Sequence, residues 1–201
     1  MRSFLLLLFL TPLLLAQEGF QPLFNGQNLD GWEVDTPGVW SVVDGVIIGK
    51  SPGLKYNDFL RTVKSYSNFI LRAKFRLVNG EGNSGVQFRS KPAAEPHEVS
   101  GYQADVGAAF WGSLYDESRR RQTLARPDAE FVEKLDKDAW HEYVITARGN
   151  QIRLELDGVT TVEYREEDPS IETGGFIALQ VHSSSAPIEA QFKDVMIRVL
   201  D

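Results

Sequence analysis

The chain has 201 residues, 42% of them hydrophobic, with a formal net charge of −7 at pH 7 and no cysteine. A surface this acidic is a poor match for nucleic acid, whose phosphates it would repel. Without cysteine there is no disulfide framework and no thiolate nucleophile, so an apolar core must hold the fold alone, which is feasible at this length.

The chain opens MRSFLLLLFLTPLLLAQEGF, with Arg2 before an apolar run from Phe4 to Leu15 and Ala16 meeting polar Gln17. That is the layout of a secretory signal peptide, residues 1–16; the run is too short to span a bilayer, which needs about 20 apolar residues. The reading predicts an exported protein, periplasmic or extracellular, with no membrane contact once the leader is removed. Residues 17–201 show no repeat, low-complexity linker or second apolar span, and are read as one domain.

The rest reads as strands. Residues 40–43, the Asp44-Gly45 pair and residues 46–48 form a hairpin. In residues 69–77, Phe69, Leu71, Ala73, Phe75 and Leu77 share one face and Arg72, Lys74 and Arg76 the other, the mark of a strand with one buried side. Residues 85–89 and 101–106 alternate in the same way. Residues 128–135 are the one helix candidate, or an irregular loop. Residues 142–147, 152–156 and 160–164 form two further hairpins through Gly149-Asn150 and Asp157-Gly158. Residues 175–182 and 191–199 close the chain. Short strands at this spacing predict an all-β, two-sheet antiparallel sandwich.

Three of these strands carry fork-shaped polar groups opposite an apolar side. Gln87 and Arg89 oppose Val86 and Phe88; Gln103 and Asp105 oppose Tyr102, Ala104 and Val106; Gln180 and His182 oppose Ile177, Leu179 and Val181. If the three lie in one sheet, these six side chains make one polar floor facing solvent or a cleft, suited to vicinal hydroxyls. A charge-rich aromatic stretch, Trp111–Arg120, follows the second strand. There Trp111 and Tyr115 would cover the apolar face of a sugar, while Asp116, Glu117, Arg119 and Arg120 take its hydroxyls. The same acids and arginines would equally pin a long loop through ion pairs.

Other chemistries fit less well. Gly49-Lys50-Ser51 lacks the first glycine and the helix start of a phosphate loop. His97, His141 and His182 show no metal-ligand spacing. A retaining glycosidase needs two carboxylates about 5–5.5 Å apart, and the strand at Gln103–Gly107 carries no glutamate.

At these residues the chain resembles the bacterial 3-keto-disaccharide hydrolase family, formerly a domain of unknown function, with a concanavalin A-like jelly-roll fold. The matching pieces run in order: Phe24-Asn-Gly through Leu29-Asp-Gly-Trp32, Trp40 with Asp44-Gly45, Gly82-Asn-Ser-Gly85 with Phe88-Arg89, Gly101-Tyr102, Trp140-His-Glu-Tyr143 and Leu179-Gln-Val-His182. Many members carry Glu directly after Gly-Tyr, where this chain has Gln103. The resemblance implies an exported enzyme on which a 3-keto-glycoside loses its C2 proton, eliminates the C1 substituent and takes up water. Asp105 or His182 would be the base, Arg89 a clamp on the enolate, and Glu117 or Asp116 the acid at the leaving oxygen. A divalent metal would be an alternative electrophile, although no spacing demands one. The alternative function is a non-catalytic carbohydrate-binding module or sugar sensor on the same sandwich. The partner in either case is a small carbohydrate.

Overall fold

A computed structural model of the protein describes residues 19–201; the proposed leader lies outside the described residues. In chain order the strands are β1 (Gln21–Pro22), β2 (Trp32–Val34), β3 (Trp40–Val43), β4 (Val46–Ser51), β5 (Asp58–Tyr66), β6 (Phe69–Leu77), β7 (Asn83–Pro92) and β8 (Val99–Gly107). They continue with β9 (Leu114–Glu117), β10 (Gln122–Ala125), β11 (His141–Arg148), β12 (Gln151–Leu156), β13 (Val159–Arg165), β14 (Gly175–Val181) and β15 (Ile188–Val199). The helix candidate resolves to one short helix, α1 (Ala129–Glu133).

The strands form two antiparallel sheets. The eight-stranded sheet runs β13-β12-β11-β6-β15-β4-β3, with β1 added beside β15. The seven-stranded sheet runs β10-β9-β8-β7-β14-β5-β2. This is a jelly-roll sandwich of the concanavalin A-like kind. Period-two alternation decides which side chains meet between the sheets. On β6, Phe69, Leu71, Ala73, Phe75 and Leu77 are all buried, and each residue between them is only partly covered. At the first hairpin, Asp44 (φ 50°) and Gly45 (φ 76°) adopt the left-handed backbone that a two-residue turn requires.

Two local features set where functional groups end up. The first is a bulge in β7: its register with β8 shifts between Phe88 and Lys91, and Arg89 stands there with φ 49°. An extra residue at a bulge breaks the in-out alternation. The second is a polar tie across the sandwich. The hydroxyl of Tyr143 on β11, fully buried, donates to the carbonyl of Asp105 on β8 (2.6 Å) and accepts from the amide of Gly112 (2.9 Å). Among the described residues no helix is long and apolar enough to cross a membrane.

Replacing Tyr143 by Phe keeps the packing but removes the short bonds to both backbone groups, leaving the Gly112 amide and the Asp105 carbonyl only their longer bond to each other (3.3 Å). It should cost about 1–3 kcal/mol, read from urea unfolding against the native protein.

Candidate functional site

The strand order β9-β8-β7-β14 brings the polar sides of the predicted strands together. Gln87 pairs across to Gln103, Gln103 to Tyr115, Gly85 to Asp105 and Gly101 to Glu117, while Ala178, two residues before Gln180, pairs with Gln87. Directly opposed residues share a face. Gln87, Gln103, Asp105, Gln180, Tyr115 and Glu117 therefore form one floor.

That floor is enclosed rather than wet. Gln87 and Gln180 are 0% exposed, Gln103 2% and Asp105 3%. Three of the groups are chained together: Gln87 Nε2 donates to Gln103 Oε1 (2.8 Å), Ser90 Oγ to Gln87 Oε1 (3.0 Å), and Gln103 Nε2 to Asp105 Oδ1 (3.3 Å), while the Gln180 side-chain amide has no partner among the described residues. Gln103 lies flat against β7 because residue 85 is glycine; a Cβ there would sit 2.5 Å from Gln103 Cδ. Beside this layer, Phe59, Val99 and Ala178 make a small apolar cluster on the same side of the sheet. The glutamines thus form an underlayer, and the accessible chemistry falls to the groups at its edge.

Asp105 is the best defined of these. Its Oδ1 accepts from the Val106 amide (3.0 Å), Gln103 Nε2 and Asn83 Nδ2 (3.5 Å), while Oδ2 has no protein partner. Burial, helped by the nearby Glu117 charge and opposed by those hydrogen bonds, pushes its carboxyl up to about 8. Glu117, partly exposed on β9, rises to about 7, again chiefly by burial and then by repulsion from Glu98. Tyr115, between the two along the face, is shifted up by burial and by both acids.

His182 sits one residue past the end of β14, partly exposed. Its amide donates to the Asn83 carbonyl (3.4 Å), and Asn83 Nδ2 reaches Asp105, so Asn83 joins the two predicted groups. His182 Nδ1 lies 2.7 Å from the Ser183 carbonyl. A carbonyl only accepts, so that contact assigns the proton to Nδ1 and leaves Nε2 as a free lone pair.

Several predicted site residues go elsewhere. Arg89 is turned away by the bulge: it donates from Nε to the Ser67 carbonyl (2.8 Å), from Nη1 to the Gly149 carbonyl (2.7 Å) and from Nη2 to Asn68 Oδ1 (3.3 Å). It is a tie between turns, and does not join Asp105. Trp111 is no sugar platform; it is 1% exposed, packed against Phe75 (6.0 Å) and His141 (5.4 Å) in the core. Asp116 lies opposite Tyr102, on the core side of β9, and is fully buried. It pairs with Arg119 (2.9 Å) and Arg120, and Arg120 also bonds Glu166. Arg119 stacks over the Tyr102 ring at 4.5 Å. Asp116, Arg119 and Arg120 therefore pin the loop through ion pairs, the other role their sequence allowed.

Sequence reasoning missed Asn83, Glu98 and Tyr143. Asn83 was visible within Gly82-Asn-Ser-Gly85, and Tyr143 within the Trp140–Tyr143 piece. Glu98 carried no local signal; it is drawn in by Asn57 Nδ2 (3.1 Å) from the segment before β5. Among the described residues no group of three or more His, Asp or Glu side chains is placed to hold a metal ion.

Comparison with known proteins bears on the same region. The family model described as a 3-keto-alpha-glucoside-1,2-lyase-like domain matches residues 19–198. No curated protein matches the chain by sequence. Among solved structures, a candidate glycosyl hydrolase from Parabacteroides distasonis superposes with TM-score 0.67 at 20% identity, over 92% of this chain and 95% of that one. The carbohydrate-binding module CBM66 from Bacillus subtilis gives 0.66 at 20%, over 84% and 95%. A β-glucanase from Bacillus licheniformis gives 0.61 at 14%, over 90% and 97%. At such identities these likenesses establish the fold alone.

Two outcomes follow. Trp111→Ala should lower stability by about 3–5 kcal/mol in urea unfolding, as the loss of a buried aromatic does. For Asp105, the folded carboxyl keeps its proton between its ordinary value of 3.8 and about 8, while the unfolded chain has lost it. The unfolded state then binds fewer protons, so this group's contribution weakens as pH rises through that window. Asp105→Asn should therefore gain melting temperature relative to the native protein from pH 5 to pH 9. A relative loss over that range would mean an ionised Asp105 is stabilised by the fold.

Proposed function

The chain belongs to the 3-keto-alpha-glucoside-1,2-lyase-like family, and from that premise we propose that it is an exported enzyme that cleaves 3-keto-glycosides by elimination and hydration. One observation carries the reading: a histidine with a free lone pair, linked through Asn83 to Asp105, and two carboxyls pushed up toward neutral pH lie along one enclosed polar floor.

The chemistry assigns the roles. A ketone at C3 makes the C2 proton acidic, because the electron pair left behind spreads onto the C3 oxygen. His182 Nε2 takes that proton. With Arg89 committed elsewhere, Asp105 is the donor at the C3 oxygen: below about pH 8 it is a neutral acid, with Oδ1 held and Oδ2 free. Glu117, titrating near 7, gives its proton to the glycosidic oxygen as the C1–O bond breaks, leaving a C1–C2 double bond. Water then adds at C1, Glu117 takes up its proton, and His182 returns one to C2. The balance is one water consumed and one glycosidic bond hydrolysed. Gln103, itself held by Gln87, positions Asp105, and Tyr115 lines the floor beside the sugar.

The spacing of the acids supports this over ordinary glycosidase chemistry. Asp105 and Glu117 stand on neighbouring strands, offset by four residues, since Glu117 pairs with Gly101. Their backbone positions are ~13 Å apart along the strands, so they do not stand as a directly facing pair of the kind a retaining enzyme holds about 5–5.5 Å apart.

The test is incubation with a panel of 3-keto-glycosides and their unoxidised parents. Only the keto compounds should be cleaved, and in D₂O the released keto-sugar should carry deuterium at C2. His182→Ala and Asp105→Ala should each reduce turnover by about a hundredfold or more. Asp105→Asn should lose less, because an amide N–H still donates. Native activity should fall in two steps as pH rises, through about 7 as Glu117 loses its proton and through about 8 as Asp105 does; the Asn variant should keep the first step and lack the second. Sugar binding without turnover on any keto compound would favour the binding-module reading; product without deuterium would exclude elimination.

A further inference from the structure

The other sheet carries a second polar site that the floor chemistry does not use. At its β11-β12-β13 edge lies a groove of about 400 Å³ lined by Thr146, Arg148, Gln151, Arg153, Glu163 and Arg165, with Tyr164 at its side. Strand pairing explains the grouping. Gln151 stands opposite both Arg148 and Arg165, and Arg153 stands opposite both Thr146 and Glu163. With neighbouring strands ~4.8 Å apart, the three guanidinium groups are held within reach of one small ligand.

The charge is unbalanced. Arg153 faces Glu155 (3.2 Å) and Glu163 (4.0 Å), and it donates to Thr160 Oγ1 (2.6 Å). Arg148 and Arg165 are exposed, and among the described residues neither has a carboxylate partner. Elsewhere the arginines are engaged: Arg72 with Glu142, Arg61 with Asp35, Arg120 with Asp116 and Glu166. Two unpaired guanidinium forks in a groove are unusual in a chain of net charge −7. At physiological salt, charges more than ~8 Å away are screened, so the groove and not the net charge sets the local field. Guanidinium forks match planar anionic groups in two-point contact. Gln151 and Thr146 add neutral partners for hydroxyls.

We propose that this groove binds an anionic oligosaccharide, with Arg148 and Arg165 holding its charged groups and Gln151 and Thr146 its hydroxyls. A glycan fits better than a nucleic acid, because the groove sets two neutral partners for hydroxyls, Gln151 and Thr146, beside its arginines, where a phosphodiester chain would call for a longer row of cations. The site lies on the opposite sheet from Asp105, so it stands or falls independently of the proposed cleavage reaction.

Calorimetry with the whole protein tests it, using trigalacturonate as a carboxylate probe, a heparin-derived tetrasaccharide as a sulfate probe, maltotriose as a neutral one, and a short oligo-dT. Trigalacturonate or the heparin fragment should bind, and which is tighter identifies the charged group. Maltotriose should bind at least about tenfold more weakly. The Arg148→Gln/Arg165→Gln double variant should keep its melting temperature and its floor activity but bind the anionic glycan at least about tenfold more weakly. The proposal is overturned by unchanged affinity in the double variant, by maltotriose binding as well as the acidic sugars, by no binding of either acidic sugar at low salt, or by oligo-dT binding as tightly as either.

Discussion

One buried hydroxyl fixes the strand on which the site depends. Tyr143 reaches across the sandwich from β11 and grips β8 at the Asp105 carbonyl and the following loop at the Gly112 amide. Those two backbone groups bond each other only at 3.3 Å, and the hydroxyl gives each a shorter partner in an apolar interior where weak pairing is costly. From the opposite side, Gln103 and Asn83 hold the Asp105 carboxyl through Oδ1. A residue held at backbone and side chain from two faces has little freedom, and what freedom remains is at Oδ2. Preorganisation of this kind lets a single donor matter where charge develops.

The buried polar layer and the buried ion cluster solve the same problem in different ways. On the floor the neighbours are neutral amides that bring no cation, so burial outweighs their hydrogen bonds and drives the carboxyl to keep its proton. On the core side of β9, Asp116 meets two guanidinium groups and stays paired. Glu166 completes that cluster; burial pushes it up, but hydrogen bonds from Arg120 and Tyr102 outweigh this and hold it down at about 2. Two acids one residue apart, Asp116 and Glu117, therefore take opposite parts. Strand alternation sends Asp116 inward to cations and Glu117 outward to another carboxylate.

Much of this was legible in the sequence where the signal is local. The alternation in residues 69–77 and the Asp-Gly turns gave the strands. The Gln and Asp residues opposite an apolar side gave the floor. What failed were properties set at long range. The bulge at Arg89 adds one residue to β7, and parity counted from Phe88 then points the guanidinium the wrong way. Trp111 looks the same in a loop whether it covers a sugar or fills a gap; the gap beside Phe75 and His141 is made by strands distant in sequence. Reading residues 114–117 as loop hid the alternation that separates Asp116 from Glu117. Burial of the glutamine layer was equally hidden, because it follows from contacts among four strands.

Donation to a developing enolate requires that the Asp105 carboxyl stay protonated at neutral pH because of where it is buried. Following the Asp105 carboxyl carbon by NMR through a pH titration measures this directly, with Asp105→Asn assigning the resonance. A midpoint near pH 8 is the expected result. A midpoint near the ordinary value of 3.8 would contradict the account, since Asp105 would then be an anion unable to donate to a developing enolate.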